Sequence, residues 1–165
     1  MTKYNYIILF FLIVSFLSPF QTNADKYTRV SDSLELVKLY NAVNGENWKY
    51  NEGWLTDKPV WEWIGIGTKE QVNDNDTINT VNVIHLFKNN LRGYFPTLNL
   101  PDLEVLKLGA NDLKGNFPYF NLQKLKILDL HLNDFSGKFP DLNLPNIREF
   151  IIGRNYFSGK LPDLK

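Results

Sequence analysis

Asp129 and His131 stand two positions apart, the spacing of a general base and the carboxylate that orients it. Such a pair does chemistry only with a nucleophile to activate, a serine, threonine or cysteine within hydrogen-bond reach. The chain has no cysteine, so thiolate catalysis, disulfides and cysteine-ligated metals are excluded. Its other histidine is His85. Gly153 to Lys160 superficially has the form of a phosphate loop, but five residues separate its glycines and Leu161 stands where Ser or Thr belongs. Asp74 and Asp76 could offer oxygens to calcium, although two acids in a polar stretch are ordinarily just solvated. The four tryptophans, Trp48, Trp54, Trp61 and Trp63, could form a sugar-stacking platform or simply a core.

What must position these groups is a phrase said four times. From Val81 onward the chain reads apolar-x-x-apolar-x-apolar-x-x-Asn-x-apolar-x-Gly-x-apolar-Pro and then begins again. The asparagine column is Asn89, Asn111, Asn133 and Asn155. The glycine column is Gly93, Gly115, Gly137 and Gly159, and the proline column is Pro96, Pro118, Pro140 and Pro162, every step being 22 residues. Three unrelated residue types keeping one period resembles the leucine-rich repeat family, whose units run to 20–29 residues. The resemblance implies an α/β solenoid with a concave parallel β-sheet, an N-terminal helical cap and little or no helix on the convex side.

Each column then has a physical task. In Leu103-x-x-Leu106-x-Leu108-x-x-Asn111-x-Leu113 the middle residues form a short strand, apolar side chains inward and the intervening ones outward. Asparagine carries two donors and an acceptor, so turned inward it can satisfy the main chain of its own and the neighbouring coil. Glycine permits a positive φ, and proline keeps the following stretch out of a sheet ladder. Leu98 and Leu100, Phe120 and Leu122, and Leu142 and Leu144 form a second inward set, which predicts an extended or 3₁₀-like convex side.

Function falls to the outward strand positions. The candidate partner-binding residues are His85, Phe87, Lys88, Lys107, Ile127, Asp129, His131, Leu132, Ile151 and Arg154; Asn89, Asn111, Asn133 and Asn155 form the structural ladder. Apolar groups among charged ones are what a protein or peptide partner would meet. Lys107 and Asp129, in one column on adjacent strands, are expected to form an exposed ion pair worth about 0–1 kcal/mol. At about 4.8 Å per strand, His85 and His131 sit some 10 Å apart, too far to share a metal. The concave face holds no serine or cysteine for His131 to activate, so neither catalysis nor a cofactor is expected.

The chain opens with Lys3, an apolar run of about a dozen residues, Pro19 and the small residues before Ala24. That is the form of a secretory signal, with a cut near Ala24, and the run is shorter than the roughly 20 residues of a membrane span. Removing 1–24 takes one charge, Lys3, from 18 basic and 18 acidic residues and leaves 17 against 18. Such balance gives no reason to expect nucleic acid or an anionic membrane as partner. The expected location is secreted or cell-surface.

Residues 25–80 read as a cap. Asp32 and Glu35 have capping-box spacing, which predicts a helix from Ser33 to Asn44. A Trp-rich segment occupies 47–66, covering the otherwise naked end of the solenoid. Gly67 to Thr80, rich in Asn, Asp and Thr, reads as a polar surface loop, and Asn75-Asp76-Thr77 is a glycosylation sequon. Leu39 to Trp48, Trp54-Leu55 and Trp61-Glu62-Trp63-Ile64-Gly65-Ile66 resemble the N-terminal cap of secreted plant-type leucine-rich repeat proteins, among them receptor ectodomains and polygalacturonase-inhibiting proteins. The chain departs from that pattern in lacking the cap's cysteine pair and in its 22-residue unit, shorter than the plant family's usual one, which favours a bacterial or protist relative. The expectation is a non-catalytic recognition module for a protein or peptide. The alternatives are an adhesive protein associating through the strand edge at Phe150-Ile151-Ile152, a fragment of a longer array, or a carbohydrate binder.

Overall fold

The computed structural model describes residues 27–73 and 76–161. The stretch 1–24 expected to be a secretory leader, Asp74, Asn75 of the sequon, and the last four residues, Pro162 among them, lie outside the described residues. In chain order come β1 (Tyr27–Thr28), α1 (Val30–Ala42), 3₁₀ turns at Gly45–Asn47 and Val60–Glu62, β2 (Ile66–Asn73) and β3 (Asp76–His85). Three coils then alternate short strands: β4 (Arg92–Tyr94), β5 (Val105–Lys107), β6 (Asp112–Gly115), β7 (Ile127–Asp129), β8 (Asp134–Lys138), β9 (Glu149–Ile151) and β10 (Tyr156–Ser158).

The odd strands after β1 build the concave sheet. Val83, Val105, Ile127 and Glu149 lie side by side in parallel register, as do His85, Lys107, Asp129 and Ile151. Each register step is the sequence repeat, so the strands sit where the apolar-x-apolar core of each phrase put them. Leu106 and Leu128 within β5 and β7, and Leu108 and Leu130 just beyond them, are completely buried.

The convex side is extended, as expected, and its extended stretches pair with one another. β4, β6, β8 and β10 form a second parallel sheet of four strands. Coils of equal length stack in register, which brings the same main-chain groups of successive coils within ladder distance. The glycine column lies within these strands, at their ends or, for Gly159, just after one, at φ between 76° and 113°, a region closed to most side chains. Beneath lies a phenylalanine spine. Phe95, Phe117 and Phe139 stack in order at 5.7 Å with interplanar angles of 11–12°, and Phe135 meets Phe117 edge-on.

The N-terminal region needs two corrections. Helix α1 starts at Val30, with Arg29 as an N-cap that makes no side-chain bond, and ends at Ala42. Asp32 is therefore not the cap. It is fully buried inside the first turn, where Oδ2 accepts the Val81 N–H at 2.9 Å. Burial pushes its carboxyl above the usual range, opposed by that N–H and by Arg29. A long-range acceptor role has overridden the local capping signal; Asn44, beyond the helix, still takes the left-handed conformation.

Residues 67–73 and 76–80 are strand and not loop. β2 and β3 form an antiparallel hairpin in which Ile66 pairs with Ile84 and Asn73 with Asp76. The Asn and Asp content hid Thr68, Val72, Thr77, Ile78, Thr80 and Val81, β-branched residues that favour a pleated surface.

The Trp-rich segment packs as a cluster. Trp48, Trp54 and Trp63 are 4–6% exposed, with successive ring centroids 4.8 and 5.0 Å apart. Each indole N–H donates to a main-chain carbonyl: Trp48 to Val43, Trp54 to Ile64 and Trp63 to Lys58. A sugar platform needs open ring faces, and of the four tryptophans Trp61 alone is exposed.

Candidate functional site

The concave face is held from beneath by the asparagine ladder. Asn111 Oδ1 accepts the N–H groups of Asn89 and Leu91, while its amide donates to the carbonyls of Leu86, Leu108 and Gly109. Asn133 and Asn155 repeat the pattern one and two coils on. Asn89 differs: its amide exchanges two hydrogen bonds with the main chain of Tyr50, locking the first coil to the preceding segment.

Each ladder asparagine follows a left-handed residue. Lys88, Ala110, Leu132 and Arg154 have φ of 51–56°. For residues with a Cβ this conformation costs roughly 1–2 kcal/mol each, offset here by the ladder bonds on either side. It turns the chain sharply off the strand and leaves Lys88, Leu132 and Arg154 exposed along one edge of the face. That edge borders a shallow cleft of about 350 Å³ between Leu132, Asp134, Arg154 and Tyr156.

Of the other candidates, His85, Phe87 and Ile151 are exposed, while Lys107, Ile127 and His131 are half-buried. Asp129 is different. It is 8% exposed, and its Oδ1 lies 2.5 Å from His131 Nδ1 while also accepting the His131 N–H. Lys107, its register partner, makes no ion pair with it, which corrects the expected bridge. A partner two residues further along the chain wins because it needs no ordering of a long, flexible lysine stem.

The structure brings together two residues the strand count kept apart. The rings of Phe87 and His131 stack at 5.7 Å, across the strand between them. The intervening position in that column is Gly109. A Cβ there would lie 2.6 Å from His131 Nδ1 and 3.0 Å from Asp129 Oδ1, so the space a side chain would occupy is filled by the pair. The signal was present in the sequence, as a glycine between two rings in one column. Gly109→Ala is expected to expel the imidazole from this stack and cost about 1–3 kcal/mol as overpacking. Proton spectra would register it as a move of the His131 ring resonances away from ring-current-shifted positions. Unchanged His131 resonances would contradict the arrangement.

The strand-entry edge carries a charge network that sequence reasoning missed. Asp102, 7% exposed, accepts from Arg29, Lys124 and Gln71. Burial alone would raise its carboxyl, but Lys124 and Arg29 together outweigh burial and hold it below the usual range. Beside it Glu104 contacts Lys126 and Lys69, and the Lys126 hydrogen bond lowers its pKa. The 22-residue spacing of Asp102 with Lys124, and of Glu104 with Lys126, placed these partners on adjacent coils.

Chemically, the face offers apolar rings, ammonium groups that form no ion pair among the described residues, and one histidine held by a carboxylate. Among the described residues no cluster of three or more His, Asp or Glu side chains could hold a metal. No helix among them is long and apolar enough to cross a membrane.

No family model and no curated protein matches the chain. Solved structures do. The leucine-rich repeat ectodomain of the receptor kinase SOBIR1 from Arabidopsis thaliana superposes with a TM-score of 0.67 at 21% identity, over 82% of this chain and 73% of that one. The BIR2 ectodomain from the same plant gives 0.63 at 22% identity, over 82% and 72%. A chain of the Arabidopsis thaliana BIR3–SERK2 complex gives 0.53 at 23%, over 79% and 72%. With its two sheets of parallel-stacked coils, the helix Val30–Ala42 before them and its 22-residue repeat, the chain has the leucine-rich repeat fold.

Proposed function

We propose that the chain is a secreted, non-catalytic recognition module that binds a protein or peptide on its concave sheet. The observation that carries this reading is the contrast across that sheet. The inward leucines of β5 and β7 are wholly buried, while Phe87, Leu132 and Ile151 on the outward side are 40–43% exposed among charged residues. Burying such rings and branched side chains under a partner recovers about 25 cal/mol for each Å² of apolar surface removed from water. The solved BIR3–SERK2 complex is an assembly of two proteins that contains a chain of this fold. Secretion rests on the leader 1–24, and the candidate contact residues remain the outward ones of β3, β5, β7 and β9.

Because Asp129 is buried against His131, the test uses exposed or half-exposed positions. The combined variant Phe87→Ala, Lys107→Ala, Ile151→Ala and Arg154→Ala removes contact groups and leaves the leucine core intact. A captured partner is expected to bind it at least about a hundredfold more weakly, since a few central side chains carry most of the energy of an interface. Equal binding by parent and variant sinks the concave-face reading.

A second reading is favoured by one observation. Phe150, Ile152 and Phe157 of the last coil are only partly buried, where Leu128, Leu130 and Phe135 one coil earlier are fully so. Among the described residues β9 pairs with β7 alone. An open strand edge beside half-buried apolar groups is a template for pairing. A second copy docking there is expected to raise the weight-average mass in sedimentation as concentration rises, and Ile151→Lys to abolish the rise. A constant monomer mass across that range contradicts self-association.

A further inference from the structure

Charge on the concave face is not evenly settled. The acids of β5, β7 and the strand entry are occupied, Asp129 by His131, Glu104 by Lys69 and Lys126, and Asp102 by Arg29 and Lys124, while Glu149 stands exposed at the far end on β9. The N-terminal lysines of the face differ. Among the described residues no carboxylate lies within ion-pair distance of Lys49, Lys88 or Lys107, and none of residues 45–65 supplies one. The three belong to one neighbourhood. The Lys88 N–H donates to the Gly109 carbonyl, two residues beyond Lys107, and the Lys49 N–H donates to the Asn89 carbonyl.

The same neighbourhood holds a cleft of about 230 Å³, with Tyr50 and Ile64 on one wall and His85 and Phe87 on the other. Tyr50, Ile64 and Phe87 are 41–43% exposed, and Lys49 Nζ lies 4.9 Å from the Tyr50 ring centroid. Small-molecule sites usually enclose about 300–1,000 Å³, so the cleft suits one inserted side chain better than a whole ligand. An apolar slot rimmed by unpaired cations asks for an apolar group between anions.

Deepening the proposed recognition role, and resting on it, we infer that this end of the face takes an acidic peptide segment with an apolar anchor. The anchor side chain fills the slot between Tyr50, Ile64 and Phe87. The flanking carboxylates, from Asp, Glu or a chain terminus, lie against Lys88 and Lys107. Attraction of this kind weakens as salt rises toward the regime where charges about 10 Å apart are screened.

The test pans a random dodecapeptide display library against the full chain. Selected peptides are then measured on the parent, on Phe87→Ala, and on the charge-reversed pair Lys88→Glu and Lys107→Glu. All substituted positions are on the surface, and unchanged melting verifies the fold of each variant. The expected peptides carry Asp or Glu on either side of a large apolar residue. They lose binding on Phe87→Ala and bind the charge-reversed protein about tenfold or more weakly, the size of roughly 1.4 kcal/mol. Peptides lost on Phe87→Ala but indifferent to charge reversal, or rich in Lys and Arg, overturn the acidic preference while leaving concave-face recognition standing. Failure to select any peptide, or selection of peptides that bind all three proteins equally, overturns both.

Discussion

Replacing Asn111 with alanine is expected to lower the unfolding free energy by about 3 kcal/mol, measured by chemical denaturation. One orphaned buried polar group costs about 1–3 kcal/mol, and this substitution strips a partner from five main-chain groups at once. Some relax toward one another, which keeps the total near the upper end for a single group rather than five times that. Asn146→Ala is the control. Its exposed amide makes one hydrogen bond, to the Gln123 carbonyl, and its loss should cost under about 0.5 kcal/mol. Equal effects at the two positions would mean that the ladder does not bear the fold's polar load.

Phe117→Ala should cost about 4 kcal/mol, again from denaturant midpoints at unchanged slope. Phe117 is 2% exposed and touches the rings of Phe95, Phe120, Phe135 and Phe139 at 5.5–5.7 Å. Deleting a phenylalanine side chain from a packed core costs about 3–5 kcal/mol, the excess over transfer coming from the cavity left behind. The spine links three coils, so one missing ring leaves its neighbours without contacts on both sides. Phe117→Leu should recover more than half of the loss. Tyr119→Ala, two residues on and 65% exposed, should be near neutral. A loss under about 1 kcal/mol for Phe117→Ala would show that the spine can collapse around the void.

Most of the solenoid was legible because one residue type recurred at one place in every coil. The strands at 105–107, 127–129 and 149–151 follow directly from leucines spaced to face inward. The ladder follows from asparagine being able to donate and accept at once. What escaped notice was non-local or non-periodic. Asp32 looked like a helix cap because capping is a local signal, whereas its actual partner, Val81, is 49 residues away. The β2–β3 hairpin was hidden by polar residues that solvate its faces, although nine of its 18 strand positions are β-branched. The convex strands have no side-chain signature of their own, since they arise from coils of equal length stacking in register.

The candidate site was legible as a set of columns and not as a set of contacts. Counting strands placed Phe87 and His131 two apart and stopped there. Their stacking depends on what the middle strand lacks, a side chain at Gly109. The Lys107–Asp129 bridge failed for a related reason, because the column gave proximity but not the competing contact from His131 along the same strand. Polar partners across coils, such as Asp102 with Lys124, were visible in the 22-residue spacing once that spacing was applied to charged residues as well as apolar ones.

Binding on the concave sheet is tested most directly by amide hydrogen exchange on the chain alone and saturated with a captured partner. Slowed exchange is expected in peptides covering residues 85–88, 107–110 and 129–132, whose outward side chains would meet the partner. The convex strands Arg92–Tyr94, Asp112–Gly115 and Asp134–Lys138 should exchange as they do in the free chain. Protection confined to those convex strands, with the concave peptides unchanged, would contradict recognition through the concave face.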